Sequence, residues 1–214
     1  MAYEESTMSE EFINEVKTSE GTAELQGSDG WTDITGQPPS YRDGKFFPYK
    51  DTEDNWTIGY GTILTDDEAS EYHDSGITME AAEGFLNERL TEAGTGAGRL
   101  VYNLSNMPTG VQEVVTDLVY NMGETRLREQ FPSFLSAIEE ENYPLAIANL
   151  KYKSPSELKP GADHGELSAY FEKLPGRAGQ NIEKLEQVYS ESLNTASDDG
   201  VFNVVKGSLW KLMF

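Results

Sequence analysis

The chain has no cysteine, only two histidines, and 16 lysine and arginine residues against 38 aspartate and glutamate. The missing cysteine removes disulfides, thiol nucleophiles and thiolate-bound metals together. His73 and His164 stand without a nearby ligand set, which argues against zinc and against a histidine-dependent triad. No metal or cofactor is therefore expected. The shortage of basic residues leaves a formal net charge of −22. Such a surface repels polyanions, and lysine and arginine do not cluster, so nucleic acid is not an expected partner. No apolar run approaches the ~20 residues that cross a bilayer. The first residues, Met1 to Glu11, carry neither the basic segment nor the apolar stretch of a secretory signal, so the expectation is a soluble product made in the cytoplasm.

What is present suffices to fold. Hydrophobic residues make 37% of the 214, with three Trp, nine Phe and eleven Tyr, enough for the core of one large domain or two small lobes. A first helix is signalled by Ser9 as N-cap, Glu10 and Glu11 in the first turn, and Phe12, Ile13 and Val16 on one face, stopping near Gly21. From Gly21 to Gly44 the composition turns to Gly, Asp, Ser, Thr and Pro with little periodicity, and reads as a long surface excursion. Phe46 to Tyr49 and Trp56 to Tyr60 read as short strands around the turn-forming Asp51 to Asn55. A small β-hairpin lobe follows from that.

Helices dominate the rest. Thr78 caps a predicted helix over Glu80 to Glu92, which Gly94-Thr-Gly-Ala-Gly98 should weaken. Thr109-x-x-Gln112 has the form of a capping box ahead of Val111, Val114, Val115, Leu118 and Val119, which bury one broad face. Ser133 to Glu140, Pro144 to Tyr152 and Gly176 to Leu193 read as further helices. Val201 to Phe214, nine of fourteen residues apolar or aromatic, is too short to span a membrane and reads as a terminal element packed on the protein's own surface, or docked to a partner or a membrane surface.

Several motif matches fail on their own geometry. Asp51-x-Glu53-x-Asn55 begins like a calcium loop but puts Trp56 at the glycine position and Thr62 at the closing glutamate. Gly59-Tyr-Gly61 and Gly94-x-Gly96 lack the strand-to-helix context of a phosphate cradle and read as turns. Asn55-Trp-Thr57 and Asn103-Leu-Ser105 match the glycosylation sequon without a secretory signal to bring them to that machinery. Carboxylate chemistry remains, for which a glycosidase needs one protonated acid and one ionised carboxylate across the scissile bond. Position favours Glu20, at a helix end before Gly21, and Asp51, at a hairpin tip before Thr57. Spacing alone leaves both open to plainer roles: a solvated helix-end carboxylate and a side chain stabilising its own turn.

Taken together, Thr18-Ser-Glu-Gly21, Tyr49-Lys-Asp-Thr-Glu53, Trp56-Thr-Ile-Gly-Tyr-Gly61, Ile77-Thr78, Asn121-Met-Gly-Glu-Thr125, Ala148-Asn-Leu150 and Gly176-Arg-Ala178 resemble the phage-type lysozymes, the muramidase endolysins of tailed bacteriophages. The resemblance spans roughly residues 9–193. It implies a two-lobed α+β lysozyme fold, with a small helix and β-hairpin lobe over about 9–77, a helical lobe over about 78–196, a cleft between them, and a tail at 197–214. It implies inverting hydrolysis of the β-1,4 bond between N-acetylmuramic acid and N-acetylglucosamine in bacterial peptidoglycan. Carried over by position, Glu20 is the general acid, Asp51 the carboxylate that positions or deprotonates water, and Thr57 the hydroxyl that helps hold that water. Ile63, Tyr120 and Asn149 align with positions lining the saccharide groove, and Arg177 with an arginine that neighbours the acid.

Three departures stand out. Glu20 and Asp51 are 31 positions apart, far more than in familiar members, so 21–44 is an insertion; a second insertion lies around 154–174. Familiar members pair a histidine after the second hairpin glycine with an aspartate on the next long helix, where this chain has Thr62 and Arg89, so that ion pair is lost, with a consequence for stability more than chemistry. The charge of −22 should weaken attraction to an anionic wall at low salt, so activity is expected to tolerate or need salt. A monomer is expected, released to the wall by a separate membrane-permeabilising partner of the holin type or carried on a virion. The rival readings are a lytic transglycosylase, which needs the acid but not the Asp-Thr water site, and a tail-associated virion protein attached through 201–214.

Overall fold

The computed structural model describes residues 8–28, 40–153 and 166–198. The chain divides into two compact units, one within Thr7–Glu92 and the other from Ala93 onward. The predicted tail at 201–214, the middle of the first insertion, most of the second, and His164 lie outside the described residues.

In the first unit, helix α1 (Glu10–Glu20) begins where expected, with the Ser9 hydroxyl accepting from Phe12 N–H at 3.1 Å. Phe12 and Val16 are buried, and Glu20 continues the same i, i+4 stripe, so the row that packs α1 inward ends on a half-buried carboxyl. A short helix α2 (Ala23–Gln26) follows. Two small antiparallel sheets come next. One pairs β1 (Tyr41–Arg42), β2 (Lys45–Phe46) and β6 (Ile77–Thr78) in the order β1-β2-β6. The other pairs β3 (Tyr49–Lys50), β4 (Trp56–Ile58) and β5 (Thr62–Ile63) in the order β3-β4-β5. Phe46 thus belongs to a different sheet from Tyr49, which corrects the single strand expected over Phe46 to Tyr49. Helix α3 (Asp66–Ser75) lies between β5 and β6 and starts on a complete capping box, Thr65 with Glu68.

The described ends of the first insertion are not the surface excursion that its composition suggests. Gln26 is fully buried, donating to Gly21 O at 2.8 Å and Gly59 O at 2.9 Å while accepting from the Ser40 hydroxyl at 2.8 Å. One amide therefore ties the end of α1, the hairpin and the start of β1, satisfying polar groups that burial would otherwise penalise.

Helix α4 (Met79–Leu100) starts with the Thr78 hydroxyl accepting from Ala81 N–H at 3.2 Å and runs through the glycines that were expected to weaken it. Gly96 explains why: a Cβ there would stand 3.0 Å from both Val119 and Glu124. The glycine allows close packing, and tertiary contact overrides its poor helix propensity. Gly94-x-Gly96 is accordingly helix rather than turn.

The second unit is helical, and its apolar core gathers Val111, Val114, Leu118, Leu127, Phe134, Ile138, Ile147, Leu150 and Leu185, all nearly inaccessible to solvent. Its described helices are α5 (Thr109–Met122), α6 (Glu124–Gln130), α7 (Pro132–Glu139), α8 (Tyr143–Lys151), α9 (Ala169–Lys173) and α10 (Pro175–Asp198). The capping box expected at Thr109 is absent, because Thr109 already lies inside the helix. Gln112 instead reaches back to Met107 O at 2.7 Å. Helix α5 is buried on nearly every side from Glu113 to Val119 rather than on one face. Its polar residues are accordingly paired: Glu113 accepts from Lys184 at 2.6 Å, and Asp117 from Arg177.

Candidate active site

Glu20 owes its position to the helix that carries it and to two glycines. Gly21, at φ +102°, ends α1 in a conformation that a side chain disfavours. Gly61, at φ +81° in the β4–β5 hairpin, is the surface on which the carboxyl rests. A Cβ added there would stand 2.6 Å from a Glu20 carboxylate oxygen and 3.6 Å from Arg89 Nη1. No residue larger than glycine fits at 61 without displacing the acid.

Asp51 is the first residue after β3, held in register by Tyr49↔Thr57 and Lys50↔Trp56. Its Oδ1 accepts from Glu53 N–H at 2.9 Å and Asn55 N–H at 2.8 Å. Its Oδ2 accepts from the Asn55 amide at 3.2 Å and lies 3.5 Å from the Thr57 hydroxyl. Partial burial pushes the Asp51 pKa up, but the backbone and amide bonds from Asn55, the Glu53 N–H and the Thr57 hydroxyl outweigh it and hold the carboxyl below the usual aspartate range. Such a group is a carboxylate at neutral pH, able to orient or deprotonate water but not to act as an acid. Thr57 is 3% exposed, and its hydroxyl stands within reach of both Asp51 Oδ2 and Asn55 O, the latter at 3.4 Å.

The structure brings Asp51 and Thr57 together and seats Glu20 on the hairpin that carries Thr57. Ile63 is paired with Thr57 across β4 and β5, with its side chain 62% exposed, which suits apolar contact with a ligand. The remaining expected residues belong to the second unit. Arg177, on α10, places its guanidinium 5.4 Å from the Tyr120 ring centre, and its Nε and Nη2 donate to Asp117 Oδ1 at 3.0 and 2.7 Å. Asp117 Oδ2 accepts from Asn181 at 2.7 Å and Asn121 at 3.3 Å. Asn149, on α8, is half-buried and donates to Leu145 O at 2.8 Å.

Sequence reasoning missed four residues around these sites: Gln26, Asn55, Asp117 and the actual role of Arg89. Asp117 had a readable signal, a charge inside the apolar run of α5. Arg89 is not merely where an ion pair is lost, since its Nη1 donates to Gly61 O.

A small-sheet unit and a helical one, with an aspartate and a threonine at a hairpin and a glutamate at a helix end, make a lysozyme-like α+β fold of the glycoside hydrolase class. The chain matches the phage lysozyme family over residues 44–155 and belongs to that family. That match contains Asp51, Thr57, Ile63, Tyr120 and Asn149, while Glu20 and Arg177 lie outside it. Among solved structures the chain is similar to the muramidase domain of SpmX from Asticaccaulis excentricus, at 13% identity and TM-score 0.52, covering 84% of this chain and 97% of that one. It is similar as well to the endolysin from Escherichia coli O157:H7 phage FAHEc1, at 16% identity and TM-score 0.53, covering 88% of this chain and 96% of that one. At such identities the likeness is one of fold. No curated protein matches the chain by sequence.

Proposed function

We propose that the protein is an endolysin-type muramidase that hydrolyses the β-1,4 bond between N-acetylmuramic acid and N-acetylglucosamine in bacterial peptidoglycan, with inversion. Glu20 protonates the leaving oxygen, Asp51 activates water from the opposite face, and Thr57 holds that water. Ile63, Tyr120 and Asn149 contact the glycan, and Arg177, which sequence resemblance had set among the glycan contacts, is 9% exposed and acts through the Tyr120 ring on which its guanidinium lies. The observation that carries this reading is the Asp51 carboxylate, bound by four donors of which one is the Thr57 hydroxyl. That arrangement suits water activation and favours hydrolysis over transglycosylation, which forms an internal anhydro ring and needs no water-binding carboxylate. The biological role is host-wall degradation during lysis, from the host cytoplasm through a membrane-permeabilising partner or from a virion.

The test is digestion of purified peptidoglycan across a salt series, with the new ends identified by mass spectrometry. Reducing N-acetylmuramic acid ends are expected, and anhydro ends would replace this reading with a transglycosylase. Glu20→Gln, nearly isosteric but unable to donate a proton, should abolish turnover with the fold intact. Removing a general acid costs at least ~10²–10⁴-fold. Full activity in that variant takes Glu20 out of the mechanism.

A further inference from the structure

Arg89 lies on α4 between the fully buried Leu86 and Leu90, so its half-buried side chain can leave the helix only along the rim of the packed face. It takes that route to the β4–β5 hairpin and donates from Nη1 to Gly61 O. The choice of carbonyl matters. Gly61 has φ +81° and no side chain, so its own backbone is less restricted than that of other residue types. The Glu20 carboxylate rests against this same residue. A guanidinium bonded to Gly61 O therefore fixes the plane on which the acid sits and places a cation beside it.

We propose that Arg89 is a positioning residue for Glu20: by pinning the Gly61 peptide it holds the acid at one distance from the hairpin that bears Thr57 and follows Asp51. The inference rests on Glu20 being the general acid. The neighbouring elements support a brace at this point. Lys17 of α1 is joined to Glu83 of α4 at 2.6 Å, and Gln26 binds Gly21 O and Gly59 O at 2.8 and 2.9 Å, so the helix that carries Glu20 is anchored to α4 and to the hairpin independently of Arg89. What Arg89 adds is local, at the glycine against which the carboxyl rests. A misplacement of the acid by about 1 Å is enough to cost ~10²-fold in rate.

The experiment measures kcat and KM on soluble glycan strands for the full-length wild type, Arg89→Met, Arg89→Lys and, as a control for stability alone, Ala69→Gly in the buried face of α3. Thermal unfolding is recorded for each. Arg89→Met should lose kcat by ~10²-fold with KM changed by no more than about twofold, a loss confined to the transition state. Arg89→Lys, which retains a donor and the charge, should recover most of it. Ala69→Gly should lower the melting temperature and leave kcat unchanged. Should Arg89→Met not fold, Arg89→Gln carries the same measurement with a neutral side chain. The inference is overturned if the methionine or glutamine variant turns over at the wild-type rate, if Arg89→Lys is as impaired as Arg89→Met, or if Ala69→Gly loses kcat to the same depth. An inactive wild type overturns the muramidase reading and this inference with it, whereas an active wild type with unaffected Arg89 variants overturns the inference alone.

Discussion

Asp51 and Asp117 sit in different units, and each carboxyl gathers several donors, but the donors differ in kind. Around Asp51 they are two backbone N–H groups, an amide and a hydroxyl, all supplied by the six residues that follow it. Around Asp117 they are a guanidinium and two amides, two of the three residues arriving from α10, sixty or more positions away. Asp51 is a local construction that keeps one side open, whereas the Asp117 side chain is 4% exposed and its Arg177 partner 9%. A partly open carboxylate with neutral, short-range donors can still act on a ligand. A sealed one paired with a cation fastens helices. The proposed chemistry thus falls where the unit is held by turns and side-chain-to-backbone bonds, and a paired, sealed charge where the unit is held by packed helices.

The strongest way to break this contrast is at Asp117. Truncating one member of a buried ion pair leaves the other desolvated and typically costs about 3–5 kcal/mol. Asp117→Ala should therefore lower the melting temperature by about 10 °C, at the 2–4 °C per kcal/mol typical of this size. Calorimetry of the variant checks it. A drop of a degree or two would show that the α5–α10 contact relies on Leu118, Ile182 and Leu185 and that the charge pair is incidental.

Asn55 probes the other side with a smaller effect. Its amide and N–H both bind Asp51, and only the amide can be removed without touching the backbone. Asn55→Ala removes one bond to a charged group, worth about 1.5–3 kcal/mol, and turnover near neutral pH should fall by about tenfold. The acidic limb of the pH profile should move upward, because a donor that favours the charged form is gone. The folded-state pKa of Asp51 lies below its ordinary value, so its stabilising contribution is present above the usual aspartate range and disappears as pH falls through the lowered value. In Asn55→Ala that contribution should be smaller and its loss complete at a higher pH. A pH–rate profile superimposable on the wild type would mean that the backbone donors alone set Asp51.

The same contrast governs what could be read from the sequence. α1, α7, α8 and α10 were legible because apolar periodicity, Ser9 as a cap and Pro144 at the start of a run are local signals of packed helices. α6 was not, since Glu124 to Gln130 offers a single buried residue, Leu127, and no stripe. The run of α4 through its glycines was hidden because Gly96 answers to Val119 and Glu124, neither of which is near it in sequence. At the site, Asp51 and Thr57 stood out through a motif at fixed spacing. Gln26, Asn55 and Arg89 did not, because bonds from side chains to distant carbonyls or to a neighbouring carboxyl follow no period. Asp117 could have been suspected from a charge within α5, but not its partner.

The smallest effect is expected where the two units face the same local problem. Asp54, in the Asp51 turn, has φ +64°, and Asn103, ahead of the second unit's 3₁₀ turn at Leu104–Asn106, has φ +61°. Left-handed backbone costs an L-residue roughly 1–2 kcal/mol, less for these two types, whose short polar side chains bond locally. Glycine removes the cost but loosens the unfolded chain. It also deletes the 3.5 Å ion pair of Asp54 with Lys50, worth at most about 1 kcal/mol at the surface, and the contact of Asn103 with Asn106. The Lys50 bond to Asp54 O, at 2.8 Å, involves the backbone and survives. Asp54→Gly and Asn103→Gly should each change stability by less than about 1 kcal/mol, a shift of no more than about 2–4 °C, and leave turnover unaltered. A loss of activity in Asp54→Gly alone would show that the aspartate, and not only the turn it occupies, helps shape the water-binding carboxylate, and the hairpin would then be less local a construction than its hydrogen bonds imply.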